Sequence, residues 1–362
     1  MKRIVLIVLC IFALAIPCRA AEDNAEYDLS ENVSSEVEEL LPNGYPQGGF
    51  KSEDISIGLF WRMLLSALTS AAPEATRSLM MLLGLILISS VLGAVRSSVS
   101  SGSVGTAMEL LSSMCICTAV FKITSGIFET AEAFISSVGA FMSAALPSLV
   151  VLCAAGGRGT FAASSSALVS TALAALDTVL SRSLLPILKL CFFVSASSDV
   201  CSGVDLSGIS LLLKKLIGYI LAICGIGLSL VMMFQSVITK SADSAVIRGL
   251  KFTVGATVPI VGGAINEAMT TICGSVGVLR STLGISGAVV ICAMMIVPIV
   301  SLLINKLMMD ISSGAAGMLM LKKEQAVLSQ MSGIVGFLIA ICAFTGTFFI
   351  ITVAVMASAE VI

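Results

Sequence analysis

Four stretches of this chain, residues 133–157, 216–239, 281–305 and 325–359, contain no charged residue at all. Each is longer than the ~20 residues an α-helix needs to cross the hydrocarbon core of a bilayer. In lipid every backbone polar group must be satisfied within the segment, so apolar runs of this length can only be helices. The rest of the composition agrees. Charged residues are 12% of the chain and hydrophobic ones 57%, against roughly 25% charged in a soluble domain. The sequence specifies an all-α polytopic integral membrane protein, with seven to ten spans.

The polar residues are concentrated at the amino-terminal end. Residues 1–20 carry a basic start, Lys2-Arg3, an apolar run and then Pro17-Cys18-Arg19-Ala20. This is the pattern of a cleavable signal peptide with Ala20 before the cut. Residues 21–54 hold ten of the 22 acidic residues and one base, Lys51, and read as a short acidic extracytoplasmic segment. Residues 55–76 place Trp61 beside Arg62, with apolar residues on one helical face. That suits an amphipathic helix in the headgroup region. Residues 77–132 contain the first transmembrane helices, expected as two spans at 79–95 and 107–128.

From residue 133 the chain reads as two repeats, 133–239 and 240–362. Pro147 and Pro186 are 39 residues apart, as are Pro259 and Pro298, and the second proline of each pair precedes isoleucine. Asp199-Val-Cys-Ser-Gly203 matches Asp310-Ile-Ser-Ser-Gly314, Lys214-Lys215 matches Lys322-Lys323, and GYILAIC at 218–224 matches GFLIAIC at 336–342. With the amino terminus outside, span counting puts Arg96 and Arg158 on the inner side. Four crossings per repeat would put both lysine pairs there too and leave Lys240, Arg248 and Lys251 outside, with 184–198 a candidate re-entrant segment. Ala162, Ser166, Ser170 and Ala174 line a helix with small residues at four-residue intervals, which lets another helix approach closely.

Four residues are candidate intramembrane polar groups. Asp199 and Asp310 each precede a Ser-Gly pair, so each is read first as a helix-end cap and second as a polar lining. Asn266 and Glu267 lie in the glycine-rich stretch 251–287, where a carboxylate must face protein or water. Glu109, Lys122, Glu129, Glu132, Asp177 and Lys189 are read as span ends. No catalytic constellation is present: without histidine there is no Ser-His-Asp arrangement, and no nucleotide loop occurs. Eleven cysteines without a CxxC pair give no metal site, and no cofactor is expected. With no basic patch there is no nucleic-acid partner. The residues alone leave a channel or transport subunit, an autonomous secondary transporter of a small solute, and a structural membrane scaffold all open.

The stretch from Lys251-Phe252 through Val258-Pro259-Ile260-Val261-Gly262 to the run 274–287, with its VLRSTLGISG segment, resembles the signature region of the stage III sporulation protein AE family. The leader, acidic segment and long apolar body resemble that family too. The resemblance implies a membrane subunit of the channel-like, secretion-related stage III A complex, which joins mother cell and forespore and is needed for late forespore gene expression. It further implies an ATPase and ring-forming proteins of the same operon as partners, and stage II protein Q across the intermembrane space. The location implied is the mother-cell-derived outer forespore membrane.

Overall fold

A computed structural model of the chain describes residues 57–98, 102–155, 159–200, 207–241 and 262–358. Apart from the turn at 319–321, every described residue is helical. The helices are α1 (Ile57–Ser98), α2 (Gly102–Ala155), α3 (Gly159–Val179), a π-helical turn (Leu180–Leu184), α4 (Leu185–Val200), α5 (Ser207–Ser241), α6 (Gly262–Met318) and α7 (Lys322–Ser358). Among the described residues, six segments are long and apolar enough to cross a membrane: Trp61–Val95, Leu111–Val151, Ala162–Ser197, Gly208–Val231, Gly287–Met318 and Lys322–Ala354. The residues read as a signal peptide ending at Ala20, the acidic segment and the stretch around Pro259 lie outside the described residues.

Within the described residues, some helices expected to be separate are continuous. The spans read at 107–128 and 133–157 are one helix, α2. The residues between them, Glu129-Thr-Ala-Glu-Ala133, contain no glycine or proline, and alanine and glutamate favour helix. The boundary at residue 133 therefore falls inside α2. Likewise the surface helix expected at 55–76 is the first half of α1, which runs through Pro73 without a break. Residues 184–198 continue the helical run of α3 through the π turn. That turn ends two residues before Pro186, which has no N–H for the carbonyl four residues back and whose ring crowds it. A widened turn is the usual accommodation of such crowding.

The α6–α7 hairpin is the most extensively packed pair, and α7 also contacts α2, α4 and α5, while α1 lies on α6 and α2. Met331, Ile334, Leu338 and Phe348 of α7 are fully buried. The hairpin turns through a Schellman motif: Leu321 N–H donates to Ala316 O at 3.0 Å and Met320 N–H to Gly317 O at 3.1 Å. Met320 occupies the left-handed position at φ 60°, which favours glycine. Further up the hairpin a Cβ on Gly346 would lie 1.9 Å from Met295 Sδ and 2.6 Å from its Cγ. Gly346→Val is therefore expected to lower the amount of folded protein in the membrane, by overpacking worth about 1–3 kcal/mol. Met295→Ala in the same chain should restore it; failure of that rescue would mean the glycine serves something other than close approach.

Two cross-contacts fix the ends of the bundle. Near one end, Ser112 Oγ of α2 donates to Ser89 Oγ of α1 at 2.7 Å, and Ser89 Oγ donates to Glu324 Oε1 of α7 at 2.8 Å. Near the other, Cys153 Sγ of α2 lies 3.8 Å from Met356 O of α7. Thus α2 and α7 run parallel and side by side. The paired sequences GYILAIC and GFLIAIC, by contrast, have unlike surroundings. In α5 Tyr219 and Ile223 are each 67% exposed, whereas in α7 Leu338, Ile341 and Cys342 are fully buried. At this landmark the match of sequence is not accompanied by a match of environment.

Candidate functional site

The polar groups inside the spans converge most closely on the α6–α7 hairpin. Lys306 Nζ donates to Ser332 Oγ at 2.6 Å, to Ser332 O at 3.3 Å and to Asp310 Oδ2 at 3.3 Å. Ser332 Oγ in turn donates to Asp310 Oδ1, closing a three-membered network. Local geometry supplies it: Lys306 and Asp310 are four apart on one face of α6, and Ser332 points at them from α7. Ser332 is 1% exposed, and the lysine and aspartate side chains 22% and 51%. Lys306 is twelve residues before Met318, about 18 Å at 1.5 Å per residue. With Lys322-Lys323 at headgroup level, that is near the middle of a hydrocarbon core about 30 Å thick. A charge there must be paired or hydrated, and this one is paired.

A second charge pair joins α2 to α4. Lys189 Nζ lies 2.5 Å from Glu132 Oε1 and 5.8 Å from the centre of the Phe128 ring, a cation–π distance. Phe192 and Phe193 pack beside it on Phe121. Between α4 and α5, the buried hydroxyls of Ser195 and Ser210 are 2.7 Å apart. These contacts hold helices together through polar groups, which in lipid substitute for the missing hydrophobic drive.

The residues expected from sequence meet unequal fates. Asp310 belongs to the closest network, but not as a helix cap: α6 continues eight residues past it, through Ser312, Ser313 and Gly314, to Met318. Ser312 Oγ donates back to Met308 O at 2.8 Å, so serine satisfies its hydroxyl inside the helix instead of ending it. Asp199 is the second-last residue of α4, and Asn266 and Glu267 stand in the first turns of α6; the side chains of all three lie outside the described residues. Glu132 and Lys189 are mid-span partners, not span ends. Lys306 and Ser332 were not singled out from sequence. The signal was present in Lys306–Asp310, an opposite-charge pair four residues apart directly after 25 uncharged residues, 281–305.

The fold and these networks define a polytopic helical membrane protein whose spans are joined by paired intramembrane charges. The chain belongs to the stage III sporulation protein AE family, whose family model matches residues 44–360. No curated protein and no solved structure matches it.

Proposed function

We propose that this chain is a non-enzymatic membrane subunit of the stage III A complex, which joins mother cell and forespore during endospore formation and is needed for late forespore gene expression. The observation that carries the reading is the family match over residues 44–360, together with six membrane-length helices. The Glu132–Lys189 pair and the Lys306–Ser332 contact support a subunit role, since they hold helices of this chain together. In this reading the chain occupies the mother-cell-derived outer forespore membrane. It works with an operon ATPase, with ring-forming proteins and with stage II protein Q across the intermembrane space.

The arrangement of the spans supports an orientation as well. Alternating crossings put the α1–α2, α4–α5 and α6–α7 connections at one end. Arg96, Lys214-Lys215 and Lys322-Lys323 lie near these connections, so that end is the mother-cell cytoplasmic one by the positive-inside tendency. The test is purification of a tagged chain from sporulating cells after mild cross-linking. Recovery of the operon ATPase and ring-forming proteins is expected. Recovery of the chain alone, with solute uptake by proteoliposomes containing only this chain, would replace the reading by an autonomous transporter.

A further inference from the structure

Nearly all the exposed apolar side chains of this molecule lie along its spans, where lipid covers them. The α6–α7 turn is a separate case. It carries Met318, Leu319 and Met320, and the two methionines are 87% exposed, more than any other large apolar side chain described. Leu319 and Met320 fall between the span ending at Met318 and the one beginning at Lys322. The folding of the turn does not require them. A Schellman motif makes its hydrophobic contact through the residue after the left-handed one, and here that residue, Leu321, packs against the core. Met320 itself holds the left-handed backbone at φ 60°, which costs methionine what it would not cost glycine. Met320 therefore strains the turn and, being exposed, returns little packing in exchange. Strain of this kind clusters at binding positions.

The place of the tip is unsuited to lipid. Helix α6 ends at Met318 and α7 begins at Lys322, so Met320 stands further from the bilayer centre than Lys322-Lys323 at headgroup level. Apolar groups on the water side of those lysines call for a protein surface. Charge indicates which kind. Lys322 and Lys323 are exposed and residues 319–321 include no acid. Glu324, the acid in the first turn of α7, is engaged at Oε1 by Ser89 of α1 at 2.8 Å. The tip thus presents apolar and cationic groups together, complementary to an apolar cleft rimmed by carboxylates. It is also preshaped. Beyond the two Schellman bonds, Lys322 N–H donates to Met320 O at 3.1 Å and Ser313 Oγ to Gln325 O at 3.1 Å. Little backbone order remains to be gained on docking, while methionine adapts its shape to the cleft it enters.

We propose that the α6–α7 turn is a docking tip for an acidic protein on the cytoplasmic side, with Met318 and Met320 as anchors and Lys322 and Lys323 as a cationic rim. This rests on the orientation and subunit role given above. The matching motif in α5, Leu211-Leu-Leu-Lys-Lys215, lies within a span and serves as the control. In the test, p-benzoylphenylalanine replaces Met318 in the full chain in sporulating cells, and Leu212 in the control strain. Illumination should give a protein adduct at 318 and no such adduct at 212, with the captured peptide lying beside aspartates or glutamates. Normalised to the amount of chain, the adduct should fall on the order of tenfold with Met320→Gly and several-fold with Lys322→Gln/Lys323→Gln. Met320→Gly is the sharpest variant, since it should raise the unfolding temperature while removing the contact. An adduct that survives either variant would overturn the docking tip. So would lipid or a second copy of this chain as the only adduct, a captured peptide without acids nearby, or no adduct at 318. The identity of the adduct separates this proposal from the one before it. An acidic cytoplasmic protein outside the stage III A complex would keep the tip and remove the subunit role, whereas complex proteins co-purifying with an unlabelled tip would do the reverse.

Discussion

Asp310→Leu is expected to destabilise the α6–α7 hairpin by about 3 kcal/mol, the lower end of the range for breaking an ion pair held away from water. The lower end applies because the aspartate is half exposed while its partners are not. The substitution leaves Lys306 about 18 Å from the turn by helical rise, too deep for its side chain to reach the headgroups, with only Ser332 as acceptor. Lys306→Met strands Asp310 in the same way. The double variant Lys306→Met/Asp310→Leu should return close to the parent, since replacing both partners of an enclosed pair by apolar groups is often neutral or stabilising. Ser332 can then donate to its own helix at the carbonyl four residues back, as other serines and threonines here do. The readouts are abundance in the membrane and thermal unfolding of the detergent-solubilised chain. Additive losses in the double variant would show that the two charges act separately, and would end the account of a three-membered network.

What the sequence made legible was governed by periodicity and charge-free length. The membrane class followed from runs such as 325–359, and the all-helical body followed from the class. Where helices end was much less legible. Spans are usually read at the minimum crossing length, but α2 continues through Glu129 and Glu132 because nothing in Glu-Thr-Ala-Glu-Ala opposes a helix. Ser-Gly pairs mislead for the same reason: at Ser313-Gly314 the helix continues, and the chain turns at Met320, a residue that gives no turn signal. Met320→Gly is accordingly expected to stabilise the hairpin by about 1 kcal/mol, through relief of the left-handed strain, measurable as a raised unfolding temperature.

The candidate polar groups show the same division. Asp310 was found because an aspartate in an apolar run is conspicuous, while its two partners were missed for different reasons. Lys306 borders an uncharged stretch and so passes for a span end. Ser332 is one serine among many, and its role depends on which residue of α6 faces it, which only the packing of two helices decides.

The pair Glu132–Lys189 carries the second large expectation. It joins α2 to α4 where each is flanked by phenylalanines, and Lys189 has both a carboxylate and the Phe128 ring as partners. Glu132→Lys would set two ammonium groups where the carboxylate and ammonium now stand 2.5 Å apart, and Lys189→Glu would set two carboxylates there. Either reversal should reduce the membrane-resident protein several-fold, because like charges at this distance repel and the strut between α2 and α4 is lost. The combined reversal, Glu132→Lys with Lys189→Glu, restores opposite charges between the same helices. It should recover abundance, though less than fully, since the glutamate placed on α4 has no attraction to the Phe128 ring. Late forespore gene expression, the readout of the proposed complex, is followed in the same strains and separates structure from function. Recovery of both abundance and expression makes the pair a strut between helices. Recovery of abundance without expression means that the sign of the charge at each position matters beyond the strut. Single reversals that leave abundance and expression untouched would show that the pair is solvated and bears no load.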